Sequence, residues 1–499
     1  MSLSTDDHVR VTACNQAPTR PDGEFVLYWM IAHRRARWNF SLDRAVAWSR
    51  ELNKPLVVLE ALRTGYRWAS DRIHRFIIDG MRDNSAAFAS TPALYHPYVE
   101  PKADHGQGLL AALASRACVV VTDDFPCFFL PRMVSAAADA LSVRLEQVDA
   151  NGVYPMRATD RLFNRAVDLR RHLQKTIHPY LTEFPRADPF DAELPRLDAL
   201  PSDITERWPR ASEALLAGKE SLDSLPIDHS VPPVPDRPGG SRRAAEILDR
   251  FFDDRLVHYA DGTRDLMDRP HSALSPYLHL GHISAHEIFH RVVERERWTP
   301  DDLSTDTPRG KREGWWGMSA EAESFLDELI TWREIGYNRC CHQANYADFD
   351  ALPDWALKTL DDHRDDPRPT TYTLEQFEQA QTHDRLWNAA QTELKQFGSI
   401  HSYVRMLWGK KVLHWTERPE DALKILIELN NKYALDGRNP NSYSGIMWCF
   451  GRFDRAWGPE REIFGKVRYM TSDSTARKFK VTEYQRTYRP DAAQGSLFG

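Results

Sequence analysis

Three stretches in the C-terminal half carry more polar and aromatic chemistry than core packing requires. The first runs from His258 through Tyr259, Ala260, Asp261, Gly262, Thr263 and Arg264 to Arg269-Pro270-His271-Ser272-Ala273-Leu274-Ser275-Pro276-Tyr277. A Ser-x-x-Ser turn before a helix, with Arg and Tyr upstream, can offer hydroxyls and amides to a diphosphate; S-x-L-S-P is equally a routine helix start. The second holds Trp387, Asn388 and Gln391, then Arg405, Met406, Trp408, Lys410, Lys411 and Trp415. Trp408 and Trp415 are seven apart and share one face two turns along a helix, with Arg405 one turn before Trp408. That spacing suits interhelical packing as well as an aromatic path. The third holds Asn430, Asp436, Gly437, Arg438, Asn439, Pro440 and Asn441, then Trp448, Asp454, Arg455 and Trp457. Asp, Asn, Gly and Pro build polar turns readily; the same groups could hydrogen-bond a polar heteroaromatic ring.

Two short motifs point elsewhere and are weaker. His286, Glu287 and His290 match H-E-x-x-H, whose histidines share a helix face and could bind zinc with the glutamate as base. A zinc peptidase needs a third ligand and none announces itself, so the stretch reads as a helix with partly exposed histidines, and no metal is expected. Gly106, Gly108 and Ala111 match G-x-G-x-x-A, but YVEPKADH before them does not read as the strand this fingerprint requires, so the segment is taken as a helix start.

The elements that must position these residues fall into two kinds. FVLYWMIA from Phe25, PLVVLEAL from Pro55, CVVVTDDF from Cys118 and VRLEQVDA from Val143 read as strands, separated by helical stretches such as LDRAVAWSRELN and GLLAALASRA. Strands apolar on both faces, alternating with helices, predict an α/β domain with a doubly wound parallel sheet over residues 20–186, whose ligands bind at the carboxyl ends of the strands. Residues 187–240 shift to Pro, Asp and Ser, end in VPPVPDRPGG, and read as an extended interdomain linker. Residues 241–485 carry apolar positions at three- and four-residue spacing almost throughout and predict an all-helical domain. A polar tail, 486–499, follows. A length of 499 residues allows two to four domains at roughly 150 each.

Composition narrows the classes. With 42% hydrophobic and 27% charged residues the chain is neither disordered nor membrane-spanning, and its longest strictly apolar run, Phe25 to Ala32, is far short of the roughly 20 residues a span needs. Met1 to Pro18 shows no apolar signal region, and the six cysteines include no C-x-x-C pair; reduced thiols in the cytoplasm are expected. The net charge of −7 argues against a surface that coats nucleic acid everywhere, yet residues 451–489 hold ten Lys or Arg against five acidic residues, enough for a local phosphate-facing patch. Ten of the 15 tryptophans lie beyond residue 290, many beside Arg, Lys or Asn.

At this point a resemblance becomes specific. THDRLWNAAQ, VRMLWGKKVLHWT, LNNKYALDGRNPNSY and FGKVRYM are similar, in order, to the C-terminal half of class II cyclobutane pyrimidine dimer photolyases. SALSPYLHLGHIS resembles the phosphate-binding turn of the wider photolyase/cryptochrome family, and EFVLYWMIAHRRARWNFSLDRAV the opening strand and helix of class II enzymes. The resemblance runs from about residue 24 to 485. TWREIGYNRCCHQANY departs from the commonest class II wording, and FGRFDRAW is shorter than the usual pattern.

The resemblance implies an α/β antenna domain and a helical domain holding FAD, with light-driven repair of cyclobutane dimers by an electron from FADH⁻. Carried onto this chain, Tyr259, Ser272, Ala273, Leu274 and Ser275 would bind FAD phosphates. Arg405 and Asp436 would pair beside the flavin ring, Asn430 would lie near flavin N5, and Arg438 joins the same cofactor-binding set. Trp408, Trp387 and Trp415 would be the proximal, middle and distal members of an electron-transfer chain. Glu328, Trp332, Met406 and Trp448 would meet a flipped-out dimer, the glutamate as a catalytic hydrogen-bonding group, and base flipping by photolyases is itself an established case of that behaviour. Arg452, Arg455 and Trp457 would contact DNA where the lesion leaves the duplex. An antenna chromophore, 8-hydroxy-deazaflavin or folate, and a monomer associating with UV-damaged double-stranded DNA in the nucleoid complete the expectation. The alternative within the family is a cryptochrome-like photoreceptor; the lesion-pocket residues favour repair. Outside that pattern, Gln494, Leu497 and Phe498 in Gln-x-Ser-Leu-Phe resemble the peptides with which bacterial repair proteins grip a sliding clamp.

Overall fold

The computed structural model describes residues 8–191, 193–260 and 264–490. The sheet has six strands: β1 (Val11–Ala13), β2 (Phe25–Met30), β3 (Leu56–Leu62), β4 (Leu94–Val99), β5 (Ala117–Asp123) and β6 (Leu145–Val148), in spatial order β1-β6-β5-β2-β3-β4. Strands β2 to β6 are parallel neighbours, joined through α1 (Phe40–Leu52), α2 (Asp71–Phe88), α3 (Leu109–Ala114) and α4 (Leu130–Ala140). Every residue of β2 and of β5 is buried, which explains their unbroken apolar wording: helices cover both faces. The strand order reverses between β5 and β2, and there Asp123, at the end of β5, accepts hydrogen bonds from the amides of Ile31, Ala32 and His33 at 2.7–2.9 Å.

The expected parallel sheet is therefore present, with two edge strands added. β1 pairs antiparallel with β6 and is only three residues long. β4, LYHPYV, precedes Gly106 and Gly108, so the glycines do follow a strand, contrary to the sequence reading; Pro97 and His96 break the apolar run that marks inner strands. The glycines still open only a short helix, with Gly108 at φ 87° as its N-cap.

The stretch 187–240 is less extended than its prolines suggest. It forms short helices at Ser202–Arg207 and Glu213–Leu216 and lies along β4: the Ala211 amide donates to Pro97 O at 2.8 Å, and His96 Nε2 sits 3.1 Å from Trp208 O. Ile204 and Trp208 are buried against the sheet's core.

Beyond Gly240 helices dominate, including Arg385–Phe397, Ser402–His414, Pro419–Tyr433 and Pro440–Trp448. The two halves are tied by buried polar contacts. Arg72 on α2 donates to Leu394 O, Tyr433 O and Lys395 O, carbonyls at the C-terminal ends of two of these helices. Glu334 accepts from the amides of Val153 and Tyr154 just after β6, and its burial pushes its carboxyl up to about 8. Among the described residues no helix is long and apolar enough to cross a membrane.

His286 is fully buried rather than partly exposed. Its Nε2 lies 3.4 Å from the Arg10 guanidinium, while His290 pairs with Glu294 at 3.2 Å. Among the described residues no group of three His, Cys, Asp or Glu could hold a metal ion. Gln494, Leu497 and Phe498, like Asp261, Gly262 and Thr263, lie outside the described residues.

Candidate active site

Asp436 stands at the centre of the polar site. It lies in the turn between the Pro419–Tyr433 and Pro440–Trp448 helices and accepts from Arg405 Nη2 at 3.1 Å and from the hydroxyl of Ser275. Burial opposes ionisation of Asp436, but Arg405 and the Ser275 hydroxyl outweigh it and hold the carboxyl below its ordinary value. Ser275 opens the Ser275–His279 helix, Ala273 before it adopts φ 59°, and the Ser272 hydroxyl accepts from the Leu274 amide at 3.4 Å. The Ser-x-x-Ser turn and the Asp436 turn, far apart in sequence, thus meet.

Asn430 is buried and donates through Nδ2 to Ser442 Oγ at 3.1 Å, which in turn donates to Asp436 O at 2.6 Å. Arg438, at φ 63°, is buried as well; its guanidinium caps carbonyls of Asn431 and Ala434, and its amide donates to Asn431 Oδ1. Arg405, Trp408, Asn430, Asn441 and Gly445 line one narrow cavity, and Arg405 Nε and Asn441 Oδ1 are buried without partners. A buried donor and a buried acceptor left open are groups that a bound molecule or an ordered water would satisfy.

Three indoles extend from this cavity. Trp408 Nε1 donates to Gln391 Oε1 at 3.0 Å and Trp387 Nε1 to Trp408 O at 3.0 Å. The Trp387 and Trp408 rings lie 6.4 Å apart and nearly parallel at 8°, and Trp387 and Trp415 lie 6.1 Å apart at 70°. The seven-residue spacing of Trp408 and Trp415 is bridged by Trp387 from the neighbouring helix. All three are buried, Trp415 included at 3% exposure.

Glu328 and Trp332 both fall in a π-helical turn, Asp327–Trp332, set between the helices Ala320–Leu326 and Arg333–His342. Such turns interrupt α-helices frequently at functional sites, and a second one lies at Phe251–Arg255. Glu328 is solvent-exposed as a residue, yet the protein packed around its carboxyl, and next the charge of Asp327, push that carboxyl up to about 7. Tyr259 packs on Phe251 and Phe325 and faces the Glu328 charge, with burial raising its phenol well above its usual value. The sequence assigned Tyr259 to a phosphate; its surroundings here are those of the Glu328 turn.

Trp448 lies between two cations, Lys410 Nζ at 4.8 Å and the Arg468 guanidinium at 5.4 Å from its ring centre. Arg468 also covers Trp457 at 4.1 Å, and Arg455 covers the same indole at 4.3 Å, so cations and indoles alternate from Lys410 to the exposed Arg455. Asp454 pins this stack by accepting from Arg468 at 2.9 Å and from Trp457 Nε1 at 3.1 Å. Met406, Trp448, Trp457, Arg461 and Arg468 line a cavity of about 500 Å³. Lys410 and Arg468 carry this arrangement and were given no role from the sequence; the basic excess of residues 451–489 was the signal for Arg468, and Lys410 stood out only as a member of the stretch from Trp387 to Trp415. Arg452, grouped with Arg455 by sequence, is instead buried at 3% exposure, with its Nε and Nη2 unpartnered.

A third cavity, about 400 Å³, opens at the carboxyl ends of β2, β3 and β4. Trp29, Ile31, Leu59, Tyr66, Tyr98 and Phe128 make it apolar, Arg34, Arg63 and Glu100 supply polar groups, and His279 and Arg438 close it from the helical side.

The chain is 34% identical over 467 residues to the deoxyribodipyrimidine photo-lyase of Methanothermobacter thermautotrophicus, a match covering 93% of this chain and 94% of that protein. The chain belongs to the deoxyribodipyrimidine photo-lyase family, a family of enzymes. The photo-lyase of Arabidopsis thaliana is 33% identical over 473 residues, covering 92% of this chain and 88% of its own, and that of Oryza sativa subsp. japonica 34% over 502 residues, covering 95% and 89%. In fold the chain is similar to a bacterial class III photolyase from Agrobacterium tumefaciens, with a TM-score of 0.63 at 16% identity over 93% of this chain and 86% of that one. No family model matches the chain.

Proposed function

We propose that this photo-lyase family member repairs cyclobutane pyrimidine dimers in DNA by the class II route, with a light-driven electron from reduced FAD. The observation that carries this reading is the ion pair of Arg405 with Asp436 beside the cavity that Arg405 and Asn430 line, together with the buried, unpartnered Arg405 Nε and Asn441 Oδ1. When bound, reduced FAD would supply the photoexcited electron donor.

The chain's own groups do the rest. Arg405 and Asp436 would hold the flavin ring with a fixed dipole, and Asn430, held by Ser442, would offer it an amide. The Ser272–Ser275 turn would hold the phosphates. Trp332, Met406 and Trp448 offer flat and polarisable walls to an extruded pyrimidine pair, whose poor stacking lowers the cost of extrusion. Glu328, with its carboxyl near neutrality, can donate a hydrogen bond to a thymine carbonyl and stabilise charge arriving there. Arg455, Arg468 and Trp457 face the duplex, where cations meet phosphates and the indole replaces lost stacking. Trp408, Trp387 and Trp415 form the path that returns oxidised flavin to its active state. The 400 Å³ cavity on the sheet is suited to a planar antenna chromophore, its aromatic lining favouring a deazaflavin over a charged folate tail.

The test is repair of a thymine-dimer oligonucleotide by photoreduced holoprotein under blue light, with dark and Glu328→Ala controls. Light-dependent repair that falls in the variant supports the reading. Bound flavin without repair moves the protein to the photoreceptors.

A further inference from the structure

The indole path ends short of water. Trp415 is 3% exposed, and the rings that cover it are Tyr372, Phe377, His383 and His414. Of these Tyr372 is the readily oxidised one. Its ring centre lies 5.7 Å from that of Trp415, closer than the 6.1 Å between Trp387 and Trp415, and its amide donates to Trp415 O at 3.1 Å. The Tyr372 hydroxyl is held twice by His383: it lies 2.6 Å from Nδ1 and accepts from the His383 backbone amide at 2.9 Å. Tyr372 is half-buried and His383 exposed.

We infer that Tyr372, with His383 as its proton acceptor, is the terminal electron donor of the path through Trp415. The inference rests on the electron-path reading above. The oxidant is photoexcited oxidised flavin, which takes an electron through Trp408 and Trp387 and leaves a cation radical on Trp415. Tyr372 then gives one electron to Trp415 and its hydroxyl proton to Nδ1 of His383, in the tautomer protonated on Nε2. The products are a neutral indole, a neutral tyrosyl radical and an imidazolium, so charge and electrons balance.

Electrostatics favours this step. Lys411 Nζ lies 5.0 Å from the Trp415 ring, paired with Asp384 at 3.5 Å, so a positive hole on Trp415 sits beside a fixed ammonium. A neutral tyrosyl radical escapes that repulsion, and the positive charge moves onto an imidazole in contact with water. A phenol loses an electron readily only when its proton can leave with it, and the 2.6 Å contact supplies the acceptor in place.

The experiment is flash illumination of the holoprotein with oxidised flavin, followed by transient absorption and electron paramagnetic resonance, with ring-deuterated tyrosine as a label. The expected result is an indole cation radical that decays into a tyrosyl radical, with a spectrum that narrows on labelling. Tyr372→Phe should lose the tyrosyl signal and recombine faster, His383→Gln should slow its formation, and deuterium oxide should slow it in the unaltered chain. A tyrosyl signal surviving in Tyr372→Phe, or an unaltered chain that holds its radical on indole alone, would overturn the inference. Absence of any indole radical would instead remove the electron path itself, and the inference with it; the indole signal separates these two failures.

Discussion

Arg405 and Asp436, 31 residues apart in sequence, meet in a single 3.1 Å contact that joins two helices to the Ser272–Ser275 turn through the hydroxyl of Ser275. Asp436 is the carboxylate that Arg405 pairs with, and Ser275 is its second donor. Removing the charge as Asp436→Asn leaves the guanidinium in a largely enclosed site and should cost about 2–3 kcal/mol of stability. Thermal melting checks the stability, and the flavin retained through purification checks the site. Retention equal to that of the unaltered chain would mean the pair does not hold the ring.

The raised carboxyl of Glu328 gives a pH dependence with a definite sign. A group whose folded value, about 7, lies above its ordinary 4.5 is protonated in the folded chain when the unfolded chain has lost its proton. Stability from this group is complete below about pH 4.5 and is lost as pH rises through 7. Glu328→Gln should therefore gain stability relative to the parent at pH 8 and lose the advantage at pH 4. It should also flatten the alkaline limb of the repair profile, because an amide keeps its donor at all pH values. Melting temperatures and repair yields across that range test both halves.

The cation–indole stack predicts how DNA binding responds to salt. Arg455 is exposed over Trp457 and on the proposed reading meets phosphate, so Arg455→Gln should weaken damaged and undamaged duplexes alike. The slope of log affinity against log salt should shrink by about one unit. Titrations at several salt concentrations measure it, and an unchanged slope would place Arg455 away from phosphate.

The joint between the halves can be loosened by one methyl group. A Cβ at Gly152 would lie 2.5 Å from Oε1 of Glu334, the carboxylate that accepts the Val153 amide. Gly152→Ala should cost about 1–3 kcal/mol by overpacking. Denaturant unfolding reads this cost, and an increase in the accessibility of the neighbouring amides to hydrogen exchange would locate it.

Much of this was legible in the residues because it depends on periodicity and on word-like motifs. The inner strands announce themselves through apolar runs buried on both faces, and the Trp387, Trp408 and Trp415 set through a motif spread over two helices that pack together. What escaped obeys nonlocal rules. β1 is an edge strand of only three residues, too short to read as a run, and β4, although mostly buried, has its apolar run broken by His96 and Pro97. Glu328 and Trp332 are four apart in any reading, but the π turn that re-aims them has no sequence signature. Lys410 reads as one basic residue among several, and only the fold shows it buried beneath Trp448. Arg452 looked like a surface arginine because charge carries no information about burial until neighbours are known.

The proline-rich stretch laid along β4 has a consequence for how copies of this chain meet. An open sheet has two rims, and each is a ladder of amides and carbonyls that another chain can extend. Here one rim is β1, three residues long, and the other carries Pro97 and is occupied by the Trp208–Ala211 backbone. The segment thus serves as a guard rail more than a tether. Shortening it would leave the distance between the halves nearly intact and would expose β4 to strand pairing between molecules. Loss of that segment should first appear as aggregation, before any change in the light chemistry.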